Sequence, residues 1–342
     1  MTFLVVGGSG FIGLNLIEHL LASSESVISL DRSPIPHSAI NVFSKLSGEL
    51  TDIQIDISEA NDLDQIISDG DVTTIYYGAA ITAGVEREIS NPLSIFDVNL
   101  RGLINILKSA GRSPSVKRII NISSGSAYGN RGFGDTGWKD DLDEFGTRED
   151  PRTLYAISKY AGERLAFRMG ELLNKKIINV RLSAIFGCWE YDTGVRDTLS
   201  APMQATLLAL KGENALLDRK EDRDWTYSRE VARALYKLAH HKNISSSLYN
   251  ISTGKAWSVV DWCGYLKTSY PDFNYRLCEP NETPNIDLFG DRDRIKMSPD
   301  RFLSDIGYSL SADLNEIYAD FKNWLDQARD FWDLENRRDH LG

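Results

Sequence analysis

Short apolar runs alternate with segments of helical period through the first half of the chain. Phe3-Leu4-Val5-Val6 precedes Leu14, Ile17, Leu20 and Leu21 at helical spacing, and Val27-Ile28-Ser29-Leu30 follows. The same reading predicts strands near 2–7, 26–31, 52–56, 73–78, 117–123 and 177–183, with helices in the gaps. The best patterned helices are 92–111 and 151–174, and Asn91-Pro92 starts the first with proline at its opening position. Strands alternating with helices predict an α/β fold, a doubly wound parallel sheet covered on both faces. The segment 130–150, with Arg131, Gly132, Gly134, Asp135, Gly137, Asp140, Asp141 and Asp143, has no period and reads as a loop. It is longer than ordinary connections, which suggests an active-site flap. After residue 183 the pattern breaks, so a division into 1–183 and a smaller C-terminal lobe, 184–342, is expected, with about 225–251 returning to the first unit. A last amphipathic helix, about 312–334, carries Leu314, Ile317, Tyr318, Phe321, Trp324 and Leu325 and reads as a cap or an oligomer face.

Composition narrows the partners. Lys and Arg number 38 against 49 Asp and Glu, for a formal net charge of −11, and there is no basic stripe. A nucleic-acid partner is therefore not expected. No apolar stretch approaches membrane-spanning length, and no leader pattern precedes the first strand, so a cytoplasmic location without membrane attachment is expected. Cys188, Cys263 and Cys278 have neither metal nor redox spacing, and no metal site is expected.

The first strand runs into Gly7-Gly8-Ser9-Gly10-Phe11-Ile12-Gly13. A strand that turns tightly into a helix presents free N–H groups to an anionic pyrophosphate. Gly7 would supply the turn, Gly10 would let the backbone approach the phosphates, and Gly13 would let the helix pack on the strand. The spacing is G-x-x-G-x-x-G, not the more usual G-x-G-x-x-G. Asp31 ends the second strand, where a carboxylate would grip a ribose diol and repel a 2′-phosphate. Its neighbour Arg32 could instead accommodate that phosphate.

Here the chain resembles the extended short-chain dehydrogenases/reductases, the group that includes NAD-dependent epimerases and dehydratases. The resemblance runs from about residue 3 to about residue 310, and its landmarks keep the family's order. It implies a Rossmann domain with NAD as cofactor. It further implies that Asp56-Ile57 contact the adenine and that Gly78-Ala79-Ala80 end a strand beside the cofactor. Asn99 matches a structural asparagine, Ser123-Ser124-Gly125-Ser126 the serine strand, and Tyr155-Ala156-Ile157-Ser158-Lys159 the catalytic helix. Arg181 to Gly187 and Arg223-Asp224-Trp225 resemble later signatures.

The chemistry of these residues is coherent. An alcohol that loses hydride must also lose its hydroxyl proton, so a base must lie beside the carbinol. A free tyrosine, with a pKa of about 10, is a poor base near neutrality. A nearby cation favours the phenolate, and Lys159 lies on the same helical face as Tyr155. The resemblance implies that this lysine also binds the nicotinamide ribose. Ser124 would hold the substrate oxygen as charge develops. Thr82, Ser126, Trp189, Arg196, Arg223 and Trp225 are the expected substrate contacts, with Arg223 suited to an anionic group.

Departures from the family narrow the reaction. Dehydratases of this group have Thr-Asp-Glu where Ser124-Gly125-Ser126 stands, so dehydration is not expected. Nucleotide-sugar epimerases usually have Asn at Ala184, Pro at Cys188 and a Gly-Asp-Gly stretch ahead of the arginine. The reading is an NAD-dependent dehydrogenase acting on a secondary hydroxyl of a sugar, sugar acid or related polyol, with a homodimer expected. The alternatives are a nucleotide-sugar epimerase with tightly held NAD and a non-catalytic NAD-binding sensor. With Asp31 on the ribose diol, NAD should bind better than NADP by roughly 1–3 kcal/mol. Calorimetric titration with both dinucleotides checks this, and tighter binding of NADP would mean that Arg32 dominates.

Overall fold

The computed structural model describes residues 1–59, 62–133, 141–290, 292–328 and 331. Six strands, β1 (Thr2–Val6), β2 (Ser26–Asp31), β3 (Glu49–Gln54), β4 (Val72–Tyr77), β5 (Arg118–Ser124) and β6 (Lys176–Leu182), build the central sheet. Four short strands follow, β7 (Ala184–Phe186), β8 (Ala215–Leu217), β9 (Asp222–Arg223) and β10 (Trp225–Tyr227). The chain then returns to the sheet as β11 (Leu248–Ile251). The seven-stranded order is β11-β6-β5-β4-β1-β2-β3, and every pairing is parallel. Phe3, Leu4, Val5 and Val6 are all buried, because a parallel strand covered on both faces has no polar side.

Between β1 and β4 the strand order reverses, opening a crevice at the carboxyl ends of the strands. Gly7 leaves β1 and Gly78 leaves β4 at this point. Two apolar clusters flank the sheet. One contains Leu4, Val6, Ile75, Ile106 and Ile119. The other contains Phe3, Val5, Ile120 and Val180 and continues into Trp189, Trp225 and Trp262.

Three boundaries differ from the sequence reading. β3 starts at Glu49 because it is an edge strand of mixed polarity, paired with β2 from Ser26↔Glu49 onward; Asp56 lies beyond its end. The helix expected over 92–111 is Pro92–Phe96, then a π turn over Asp97–Gly102, then Leu103–Arg112. The widened turn carries the buried Asn99, which accepts from Ile81 N–H at 2.8 Å and donates to Ile81 O and Ser158 Oγ. The C-terminal helix spans Leu314–Gln327 and caps the molecule's own core, with Trp262 against Tyr318 and Phe321, and Trp324 against Trp189. Within the expected loop, 134–140 lies outside the described residues. Its flanks are tied down by the bridges Gly129↔Asp150, Phe133↔Arg294 and Leu142↔Met297. No helix among the described residues is long and apolar enough to cross a membrane.

Arg181 on β6 is fully buried over the Tyr128 ring, with its charge met by Glu163 on the helix Leu154–Leu173 at 2.6 Å and by Glu149 at 2.7 Å. Removing one partner of such a pair leaves an uncompensated charge in the interior. Glu163→Ala should therefore lower the unfolding free energy by about 3–5 kcal/mol, read from the urea midpoint at constant slope.

Candidate active site

The crevice opens into a cavity of about 560 Å³. Gly7, Gly10, Phe11, Ile12, Gly13, Gly78 and Ala80 line one side of it. Gly7 has φ +86°, and a Cβ there would fall 2.6 Å from Ala79 N. At Gly13 a Cβ would fall 2.1 Å from Gly7 O, so neither position admits a side chain. Beyond them the helix Phe11–Ala22 begins at Gly10 with no side-chain cap, leaving its first N–H groups free for an oxyanion. Asp31, at the end of β2, accepts from Ser9 N–H and Ser33 N–H, both at 3.2 Å. A turn that only glycine can make, uncapped amides and a carboxylate on the neighbouring strand fit a dinucleotide.

Asp56 is exposed and bonded to Ser58 at 2.6 Å, and that bond, with help from the charge of Arg32, holds its carboxyl below the usual value. Ile57 is buried in the apolar cluster under Gly102. Asn99 acts through the backbone that follows β4 and does not line the cavity.

The reacting groups face this cradle. Ser124 ends β5, and Tyr155 lies in the first turn of the helix capped by Thr153, whose Oγ1 accepts from Ala156 N–H. The hydroxyls of Ser124 and Thr82 lie beside the Tyr155 phenol. Burial raises the phenol above its ordinary pKa, while those two hydroxyls and the charge of Arg196 oppose the rise. Lys159, one turn on, is 8 % exposed; its Nζ lies 5.8 Å from the Tyr155 ring centroid and donates to Ile122 O at 2.8 Å. Burial pushes this ammonium down to about 8, against the attraction of Glu163. Arg196 is thus a cation acting on the phenol that the motif did not disclose, while the lysine read from the motif stands 5.8 Å from the phenol's ring centroid.

At the far end, Thr82, Ser126, Arg196, Arg223 and Trp225 line the cavity as expected for substrate contacts. Trp189 does not, and that expectation is corrected. It is fully buried, packed on Phe43, Trp324 and Phe331, with its indole N–H donated to Glu18 at 2.5 Å. The backbone at Trp189, φ +60°, follows Gly187 and Cys188 in a turn that places the ring in the core. Arg223 pairs with Glu221, whereas Asp224 is engaged by Ser252 Oγ at 2.5 Å and Met297 N–H at 3.1 Å. Arg196 pairs with the buried Glu190 at 2.9 Å and lies over the Phe11 ring. Sequence reasoning missed Phe133, Phe289, Arg294 and Met297, which also line the cavity. Only the charge-rich run Asp291-Arg292-Asp293-Arg294 after Gly290 marks that stretch in the sequence.

Comparison with known proteins agrees with this geometry. The model of the NAD dependent epimerase/dehydratase family matches residues 3–252. A putative UDP-glucose 4-epimerase of Methanocaldococcus jannaschii is 27 % identical over 77 % of this chain and 81 % of its own. Among solved structures, UDP-glucose 4-epimerase of Thermotoga maritima with UDP-glucose superposes with a TM-score of 0.77 at 21 % identity, covering 96 % of this chain and 100 % of the other. UDP-glucuronic acid 4-epimerase of Bacillus cereus, in complex with UDP-glucuronic acid and NAD, gives 0.76 at 20 % identity, covering 96 % and 99 %. At such identities the structural likeness speaks to the fold, and the family model speaks to kinship and cofactor. The chain belongs to the NAD-dependent epimerase/dehydratase family.

Proposed function

We propose that the protein is an NAD-dependent dehydrogenase that oxidises a secondary hydroxyl of a sugar, sugar acid or related polyol. The observation that carries this reading is the meeting of the Ser124, Thr82 and Tyr155 hydroxyls in the cavity that the glycine cradle also lines. NAD, when bound along the cradle, supplies the acceptor for hydride from the carbinol carbon. Ser124 holds the substrate oxygen and stabilises the charge that grows on it. The Tyr155 oxygen takes the hydroxyl proton, with Ser124, Thr82 and the Arg196 charge favouring its ionised form. Lys159, held by Ile122 O at 2.8 Å, would bind the nicotinamide ribose of the cofactor.

A second reading, a nucleotide-sugar epimerase, draws on the names of the relatives. The cavity wall bears on it: Ala184 lines the cavity where such epimerases usually place an asparagine, and Cys188 is buried against Tyr227 where they place a proline. The two readings separate on the cofactor. Net growth of NADH absorbance with exchangeable NAD supports the dehydrogenase; tightly held NAD with no net NADH supports the epimerase.

Tyr155→Phe should lower kcat by about 10²–10⁴-fold while NAD affinity stays near wild type. Retention of more than about a tenth of the rate would defeat the acid/base role, and unchanged function would favour the sensor reading. Lys159→Met tests the buried ammonium. Because the folded pKa of about 8 lies below the free-lysine value, the folded state pays its full penalty below pH 8, and stability recovers as pH rises from 8 toward 10.5. At pH 7 the variant should melt above the wild type by about 2 °C or more, while NAD affinity and turnover both fall. The gap in melting temperature should close by about pH 10.

A further inference from the structure

The two lips of the crevice are joined by a segment without helix or strand, residues 190–200, which lies between β7 and the helix Ala201–Lys211. On the β1 side, Tyr191 donates its hydroxyl to Ser9 O in the glycine turn at 2.7 Å. Just before it, Cys188 O accepts at 2.7 Å from Asn15 on the helix Phe11–Ala22. On the β4 side the segment pairs with the chain that follows Ala80. Thr82 N–H donates to Val195 O at 2.9 Å, and Asp197 N–H donates to Thr82 O at 3.3 Å. Buried Glu190 closes the segment on itself, accepting from Ser200 N–H at 2.6 Å and Ser200 Oγ at 2.7 Å, and it also answers the charge of Arg196. Thr193, Val195 and Arg196 line the same cavity as Gly7, Gly10 and Gly78. The segment is therefore a strap across the crevice at the point where the strand order reverses.

A single ion pair fastens the middle of the strap. Arg87, in the short helix Val85–Ser90, donates to Asp197 Oδ1 from Nε at 3.0 Å and from Nη2 at 2.7 Å, and Nη2 also donates to Gly194 O at 2.9 Å. Gly84 N–H adds a bond to Asp197 Oδ2 at 2.7 Å. The helix that carries Arg87 is anchored separately, because Glu88 accepts from Leu154 N–H at 2.6 Å, where the helix of Tyr155 begins. The Arg87 and Asp197 side chains are 28 % and 26 % exposed, so water competes for the pair and it can open without stranding a buried charge. The hydrogen bond from Arg87 holds the Asp197 carboxyl below its usual value, which keeps the pair ionised near neutrality. A contact of this kind adds little to folding, and where it spans a ligand cleft its effect falls on rates.

We infer that Arg87 and Asp197 are positioning residues that clasp the strap 190–200 over bound NAD, so that the opening of this pair paces entry and release of the cofactor. The inference rests on NAD as the cofactor and not on which reaction follows. A gate differs from a binding contact in its kinetics. Loosening a gate speeds entry and exit alike, whereas removing a contact speeds exit alone.

The test uses the full chain with NADH, followed by its fluorescence: association on rapid mixing, and release on a chase with excess NAD. Arg87→Met and Asp197→Asn should each raise both rate constants by about 10-fold and leave Kd within about 3-fold of wild type. Arg87→Lys should fall between, since an ammonium keeps the charge and loses the fork. Arg276→Met, which breaks an exposed pair with Glu282 outside the cavity, should leave both rates at the wild-type values. Wild-type rates in Arg87→Met and Asp197→Asn, or faster release with unchanged entry, would overturn the clasp. Wild-type melting temperatures verify that the variants fold. If Arg87→Met does not, Asp197→Asn, which keeps an acceptor for Gly84 N–H, is judged by the same criterion. Faster exchange in the variants with no NADH formed from any sugar would keep the clasp and remove the dehydrogenase reading. NADH formation with exchange rates unchanged in the variants would do the reverse.

Discussion

Glu163 accepts hydrogen bonds from Ser123 at 2.6 Å and from Arg181 at 2.9 and 2.6 Å, so one carboxylate joins the helix of Tyr155 and Lys159 to the two strands behind it. Ser123 immediately precedes Ser124, and Glu163 lies one turn beyond Lys159. The separation of the three reacting side chains is thus fixed by a charged contact that water does not reach. In such a place the geometry is steep: a bond that shifts or breaks exposes a charge to a medium that cannot solvate it. A helix held this way keeps its register against the serine strand, and the phenol keeps its two hydroxyl partners.

The same economy of polar groups recurs around the cavity. Lys159 is held in a wall that penalises its charge, and two arginines stand close enough to repel one another. Glu221, raised to about 7 by burial despite the guanidinium groups beside it, shows how dry that end is. Charges arranged at the expense of folding stability are the pattern expected of a binding site, where a ligand supplies the missing partner.

The legible and illegible parts of this protein divide along sequence distance. The turn from β1 into its helix, the carboxylate at the end of β2 and the Tyr-Lys pair are each written in a few consecutive residues, because local geometry demands them. The cavity's far wall is not. Phe289, Arg294 and Met297 reach the site only because the bridges to Phe133 and Leu142 bring a late segment back across the mouth. Trp189 shows the converse difficulty: a large aromatic beside arginines reads as pocket, yet a positive-φ turn sends it into the core. The π turn at Asp97–Gly102 was also hidden, since its apolar spacing is that of an ordinary helix and only the inward Asn99 betrays it.

The position of β11 has a consequence for how the protein comes into being on the ribosome. β6 lies one strand in from the sheet's edge and pairs with the edge strand Leu248–Ile251, and the chain between them visits the cavity before it returns. Until residue 251 leaves the exit tunnel, β6 is an unprotected edge of buried-type sequence, open to pairing with any strand at hand. The nascent chain is therefore most exposed to misassembly late in its synthesis, after the nucleotide cradle has emerged. A slow codon or a pause before that point would lengthen the exposure of this edge.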